Sequence, residues 1–144
     1  MQFGLSEEQI LLQDNVNRFL DDNSPLDRVR NYADGGEDSD IWAGLAELGI
    51  PALLIPEAQG GIGLQPMDAA IVAECLGSHI APTPFLGSAV MAPTALVASG
   101  GDHGELLAEI AAGTTRVGIA FGEAIKRRND AGVTVKDGRM SGIS

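Results

Sequence analysis

The sequence predicts a mainly α-helical fold, with a helical domain over residues 1–114 and the first strands of an incomplete β domain over residues 115–144. Two observations predict it. Apolar residues recur every three to four positions through most of the chain, which is the spacing of helices that bury one face. Beyond residue 114 the apolar residues alternate instead, which is typical of strands, and helices followed by strands imply two successive units.

Composition limits the classes of function. The chain has 144 residues, 44% of them hydrophobic, which suits one domain with a packed core. A net charge of −11 repels phosphate backbones and anionic lipid, so we expect neither nucleic-acid nor membrane binding. The first residues lack the basic and apolar regions of a signal peptide, and a single cysteine, Cys75, excludes an internal disulfide. A cytoplasmic protein is the expectation.

The first two helices have recognisable starts. Ser6-Glu7-Glu8-Gln9 has the residue types of a capping box, with Ser6 at the N-cap and Gln9 at the third helical position. Apolar residues then follow at helical spacing as far as Leu20. Ser24-Pro25 is expected to open a short second helix, which a polar stretch at residues 34–38 ends.

Caps and breakers also delimit the next helices. Asp38 or Ser39 is expected to cap a third helix that Gly49 ends. Pro66 suits the first position of a fourth helix that runs to Gly77.

The last helical segments surround Pro93. An apolar segment over residues 85–98 is expected to be kinked or divided there. Asp102 is expected to cap a sixth helix, which Gly113 closes.

Three strands are expected after that point. Val117, Ile119 and Phe121 alternate with small residues, and Val133-Thr134-Val135 forms a second apolar run. Asp137-Gly138 is a strong two-residue hairpin turn, which leads into a third strand from Met140.

Local motifs reveal no chemistry. Gly60-Gly61-Ile62-Gly63 lacks the Lys-Ser/Thr of a phosphate-binding loop and is interpreted as a structural turn. His79 and His103 lack the spacing of metal ligands, and Ser88 and Ser99 lack the context of a nucleophile. Taken alone, these residues predict an acidic helical domain with no catalytic residue and no metal site.

Four separated pieces resemble the N-terminal helical domain of the acyl-CoA dehydrogenase family, and they occur in that family's order. They are the opening Leu5-Ser6-Glu7-Glu8-Gln9, the helix Trp42-Ala43-Gly44-Leu45-Ala46-Glu47-Leu48-Gly49, the loop Pro56-Glu57 followed by Gly60-Gly61-Ile62-Gly63-Leu64, and the helix Asp68-Ala69-Ala70-Ile71-Val72-Ala73-Glu74-Cys75-Leu76-Gly77.

The resemblance implies α,β-dehydrogenation of an acyl-CoA thioester with FAD as cofactor. It also implies electron-transfer flavoprotein as a possible acceptor, and a homo-oligomer or a hetero-oligomer with another subunit of the family. By position, three residues match flavin-contacting places: Ile119, Phe121 and Gly122. Four candidates would line the acyl cavity: Phe85, Leu86, Ala89 and Val90. The alternatives left open are an ordinary strand for the first set and helix–helix core for the second. Small residues at Gly87, Ser88 and Ala89 are expected to leave room for a bulky acyl group.

Two departures from the family pattern shape the expectation. The family's Thr-Glu-Pro is replaced by Gly122-Glu123-Ala124, and its later Gly-Ser-Asp has no counterpart. In that family the catalytic Glu belongs to a C-terminal helical domain that has no counterpart in residues 1–144, so no residue here is expected to inherit that role, and the chain alone is expected to bind flavin weakly or not at all. The alternatives are a non-catalytic subunit of a heteromeric acyl-CoA dehydrogenase and an unrelated helical interaction module.

Overall fold

The structure, a computed structural model, describes residues 4–36, 39–120 and 132–143. Within these ranges the chain is mainly helical, as the sequence predicts. The α-helices are α1 (Glu7–Asn23), α2 (Leu26–Ala33), α3 (Ser39–Glu47), α4 (Pro66–Ser78), α5 (Ala92–Ser99) and α6 (Gly104–Ala111). Short 3-10 helices cover Ile50–Ala52 and Glu57–Gln59, a π-helix covers Leu86–Met91, and the strands are β1 (Gly132–Lys136) and β2 (Arg139–Ile143).

The start of α1 confirms the predicted capping box. The Ser6 hydroxyl accepts the Gln9 amide at 3.2 Å, while the Gln9 side chain accepts the Ser6 amide at 3.1 Å. The side-chain Nε2 of Gln9 also donates to Asp68 Oδ1 at 3.0 Å, in the first turn of α4. This contact joins the beginnings of two helices that pack against each other.

Proline and glycine delimit the next helices as predicted. After α3, Gly49 adopts the left-handed conformation with φ of 78°. Pro66 is the first residue of α4, which runs to Ser78, one residue beyond the predicted end. Because α3 begins at Ser39, a cap at Asp38 would lie outside the described residues.

Two clusters of buried side chains form the core. The larger draws on α1, α3, α4 and the start of the π-helix, and its members include Leu20, Trp42, Val72, Phe85 and Ala89. The smaller consists of Ile55, Ala92, Leu107 and Ile110, with Val117 and Ile119 packed against it. The segment before α5 therefore belongs to the larger cluster, and α6 belongs to the smaller.

The segment around Pro93 is divided, as expected, into the π-helix and α5, with Pro93 in the first turn of α5. The predicted cap of α6 is wrong, because α6 begins at Gly104 and His103, not Asp102, occupies the N-cap without a side-chain capping bond. After α6, Gly113 has φ of 72°, which agrees with the predicted close of that helix.

The hairpin is confirmed and the strand before it is not. β1 and β2 pair antiparallel, and Asp137 and Gly138 have φ of 52° and 72°, the sign that a type I′ turn requires. Residues 117–120 have no strand partner among the described residues, so the strand prediction is wrong over that part, and Phe121 lies outside the described residues. The reason is that the main chain of Val117 bonds to a side chain instead.

Candidate functional site

The π-helix, which carries three of the four predicted acyl-cavity residues, contacts Val117, two residues before the predicted flavin-contacting Ile119. Ser88, which is 0% exposed, makes the contact. Its hydroxyl accepts the amide of Val117 at 2.8 Å and donates to the carbonyl of the same residue at 3.1 Å. One side chain thus satisfies both main-chain groups of Val117, as a neighbouring strand would.

The π-helix, which is wider than an α-helix, and Gly87 allow the main chain of Val117 to lie close to the helix. The amide of Ala92 donates to the carbonyl of Gly87, five residues back, and Pro93 has no amide hydrogen to donate to the turn before it. A Cβ atom on Gly87 would lie 2.9 Å from the Val117 carbonyl oxygen. Any larger residue at position 87 would therefore press on the segment that Ser88 holds.

The predicted acyl-cavity residues divide between core and surface. Phe85 and Ala89 are 5% and 1% exposed and belong to the larger core cluster, and Val90 packs against it. Leu86 is 62% exposed. The Val117 carbonyl occupies the space beside Gly87, so Gly87 holds a contact, and the room expected for a bulky acyl group stays a prediction.

The predicted flavin-contacting residues are described only in part. Ile119 is half-buried and packs against the smaller core cluster, together with Val117. Gly118 and Ala120, which alternate with them, are exposed. Phe121 and Gly122 lie outside the described residues.

Sequence reasoning missed the role of Ser88, which it considered only as a nucleophile and as a small residue. The signal for that role was a hydroxyl inside an apolar helical run. A buried hydroxyl is costly unless a partner accepts or donates a hydrogen bond, so its presence there indicates such a partner. The sequence does not say which residue that partner is.

The glycine-rich loop is a structural turn, as interpreted. Its amides donate within the loop region: Gly61 to Pro56, Ile62 to Ala52, and Gly63 to Ile55, at 2.9 to 3.1 Å. A Cβ atom on Gly61 would overlap the Ile55 carbonyl group. These amides are used by the fold and do not point at a phosphate.

A shallow surface depression of about 370 Å³ lies beside α6, and none of the predicted site residues lines it. His103 lines it and contacts Ser99 Oγ through Nε2 at 2.8 Å, but the Ser99 hydroxyl donates to the Leu96 carbonyl at 2.7 Å, which is not the geometry of an activated nucleophile. The other lining residues are Asp102, Glu105, Leu106 and Glu109. Over the described ranges, no three His, Cys, Asp or Glu side chains are grouped to hold a metal ion.

His79 joins the ends of α1 and α4. Its Nδ1 lies 2.8 Å from the Cys75 carbonyl oxygen and its Nε2 lies 3.0 Å from Asp21 Oδ1. The hydrogen bond to the Cys75 carbonyl, followed by the one to Asp21, raises the pKa of His79. Burial raises the pKa of the Cys75 thiol. Neither group faces the candidate site, and we assign both to the helix packing.

Comparison with known proteins follows the helical part of the chain. The family model described as "Acyl-CoA dehydrogenase, N-terminal domain" matches residues 6–114. "Acyl-CoA dehydrogenase IpdE2" of Mycolicibacterium smegmatis is 38% identical over 120 residues, which is 81% of this chain and 38% of that protein. The protein of the same name from Mycobacterium tuberculosis is 40% identical over 88 residues, which is 60% of this chain and 27% of that protein.

Solved structures give the same picture. "Tcur3481-Tcur3483 steroid ACAD G363A variant" superposes with a TM-score of 0.66 at 29% identity, over 76% of this chain and 31% of that chain. The crystal structure of the ChsE4-ChsE5 complex from Mycobacterium tuberculosis superposes with a TM-score of 0.67 at 26% identity, over 79% of this chain and 32% of that chain. The chain therefore spans about a third of the length of these proteins. Among the described residues, no helix combines the length and apolar character that crossing a bilayer requires.

Proposed function

This chain belongs to the acyl-CoA dehydrogenase family, and we propose that it forms the N-terminal portion of an FAD-dependent enzyme that dehydrogenates an acyl-CoA thioester between Cα and Cβ. The observation that supports this best is the contact between the π-helix and residues 117–120, since it joins the segment proposed for the acyl group to the segment proposed for the flavin. The alternative of an unrelated helical module is set aside because the family match covers residues 6–114. The division into domains at residues 114 and 115, like a cytoplasmic location, stays a prediction.

We propose that the flavin ring lies against the exposed side of residues 117–120. Gly118 and Ala120 are exposed, and the space around a Cβ atom on Gly118 is open, so the exposed side of the segment is main chain and one methyl group. We propose that Ile119, Phe121 and Gly122 contribute to the flavin side of the site, Ile119 through its main chain because its side chain packs inward. When bound, FAD supplies the hydride acceptor for the oxidation.

The proposed acyl contact is Leu86, which is 62% exposed on the π-helix. Phe85, Ala89 and Val90 would support this wall from the core side. The part of the reaction that removes the α-proton is assigned to no residue of this chain. What these residues contribute is an apolar surface beside the flavin segment, which orients the acyl group and excludes water.

The proposed substrate is a bulky acyl-CoA of the steroid type. Its support is the structural likeness to Tcur3481-Tcur3483, which is described as a steroid acyl-CoA dehydrogenase. An acidic chain attracts an anionic thioester only through local cations, and Arg116, which is exposed, is the described cation nearest in sequence to the flavin segment. Electron-transfer flavoprotein is the proposed acceptor.

A second candidate is a non-catalytic subunit of a heteromeric acyl-CoA dehydrogenase. The similar ChsE4-ChsE5 structure is a complex of two proteins, and Gly122-Glu123-Ala124 departs from the family's Thr-Glu-Pro. This candidate predicts activity only in the presence of a second subunit of the family. The first candidate predicts that this chain's full-length product is active alone or with copies of itself.

Anaerobic addition of acyl-CoA to the FAD-loaded full-length product tests the proposal. A steroid acyl-CoA should bleach the flavin faster than a short straight-chain acyl-CoA, and Leu86→Ala should slow the bleaching. Leu48→Ala is the matched control, because Leu48 is 42% exposed at the end of α3 and lies outside the candidate site. Equal effects of the two substitutions would remove Leu86 from the acyl site, and activity restored only by a second subunit would favour the second candidate.

A further inference from the structure

The contact at Ser88 has a feature that a simple core serine lacks. Its hydroxyl bonds to both the amide and the carbonyl of one residue, Val117, which is 29 positions away in the chain. A single removed atom would leave both main-chain groups of Val117 without a partner. The position of residue 117 is therefore set by the position of the π-helix.

Three further observations indicate that the π-helix positions the residues after Val117 as well. Gly87 lies against the Val117 carbonyl with no room for a side chain. Val117 and Ile119 pack against the smaller core cluster, which includes Ala92 immediately after the π-helix. Gly118 and Ala120 remain exposed between them and after them. The Ser88 hydroxyl thus sets the distance of Val117 from the π-helix. The packing of Val117 and Ile119 against the smaller core cluster determines that Gly118 and Ala120 face outward.

We propose that Ser88 is a positioning residue that holds residues 117–120 in register with the π-helix, and thereby sets the flavin segment relative to the acyl contact at Leu86. Its role toward the cofactor rests on the proposed function, whereas the coupling of the two segments does not. Ser88 itself touches neither ligand in this assignment. It acts by holding one wall of the site against the other.

Two substitutions disturb the contact by different means. Ser88→Ala removes the hydroxyl, and Gly87→Ala keeps it while placing a methyl group against the Val117 carbonyl. Ser78→Ala is the control for the first, because the exposed Ser78 hydroxyl also donates to a main-chain carbonyl, that of Cys75, at 2.9 Å. Gly77→Ala is the control for the second, because a Cβ atom there meets nothing within 4 Å.

The measurement is residue-resolved amide hydrogen exchange on the full-length product, with FAD retention after desalting recorded on the same samples. Both test variants should exchange the Val117 amide, which donates to Ser88 Oγ in the wild type, at least about tenfold faster than wild type, while α1 and α4 keep their protection and both controls match wild type. An unchanged exchange rate of the Val117 amide in both test variants would overturn the proposal. Faster exchange throughout the chain in Ser88→Ala would mean that this variant is destabilised as a whole. The exchange of the Val117 amide in Gly87→Ala would then decide whether the proposal holds.

FAD retention separates this inference from the proposed function. If wild type retains FAD, both test variants should retain less and both controls should retain as much as wild type. A wild type that retains none would count against the proposed function, while the exchange pattern would still support the coupling of the two segments. Retained FAD with unchanged exchange in the variants would support the function and overturn the role of Ser88.

Discussion

Phe85 and Leu86 are neighbours in sequence with opposite surroundings, and replacing each by alanine gives a sharp prediction. Phe85 is 5% exposed in the larger core cluster, whereas Leu86 is 62% exposed. Truncating a buried phenylalanine removes its transfer free energy and leaves a cavity, so Phe85→Ala should lower the free energy of unfolding by about 3–5 kcal/mol. Leu86→Ala should change it by less than about 0.5 kcal/mol.

Trp42 provides the assay. It is the only tryptophan of the chain, it is 1% exposed in the same core cluster as Phe85, and its indole donates to the Gly113 carbonyl at 3.1 Å. Urea unfolding followed by its fluorescence therefore reports on this core directly. In a thermal scan the Phe85→Ala midpoint should fall by roughly 6–20 °C, since each kcal/mol corresponds to about 2–4 °C in a domain of this size class.

A small change in the free energy of unfolding of Phe85→Ala would refute this reasoning. If its cost were below about 1 kcal/mol, or equal to that of Leu86→Ala, the Phe85 ring would border open space and the division between core and surface would be wrong. Phe85→Leu, a milder truncation, keeps the comparison measurable if the alanine variant does not fold.

Three further predictions concern the rest of the helical domain. Because hydrogen bonds to the Cys75 carbonyl and to Asp21 raise the pKa of His79, its contribution to stability is complete below the unfolded-state pKa and is lost as pH rises through the folded-state pKa. The free energy of unfolding measured by urea titration should therefore fall as pH rises above about 6.5, and His79→Gln should abolish that slope. A slope that survives in His79→Gln would assign it to another group. Gly61→Ala should lower the free energy of unfolding by about 1–3 kcal/mol, because its methyl group would overlap the Ile55 carbonyl. In the same urea titration, Gly77→Ala should raise that free energy by up to about 1 kcal/mol, because position 77 is an open helical position. A harmless Gly61→Ala would contradict the loop geometry. Cys75, which is 2% exposed with a raised thiol pKa, should react with a thiol reagent only as fast as the domain opens, and rapid labelling in native buffer would contradict its burial.

Features decided by local chemistry were predictable. The capping box at Ser6, the proline at the start of α4 and the Asp137-Gly138 turn each depend on residues within four positions of one another, and the structure has all three. The start of α6 was predicted one residue early, because both Asp102 and His103 precede the helix and propensity favours the aspartate.

Features decided by distant partners were not predictable. Alternation at residues 117–121 suits a strand, but Val117 finds its hydrogen bonds on Ser88, 29 positions earlier, and the pattern contains no record of that pairing. Apolar character at residues 85–90 suits a cavity wall and a core equally well. Only the fold shows that Phe85 and Ala89 face inward while Leu86 faces out.

The most direct test of the central claim is the visible absorption spectrum of the full-length product after FAD is added and the protein is desalted. The account predicts a retained flavin band, because residues 117–120 and the π-helix are proposed to form one side of a cofactor site. A colourless protein, in the presence and in the absence of a second subunit of the family, would contradict it.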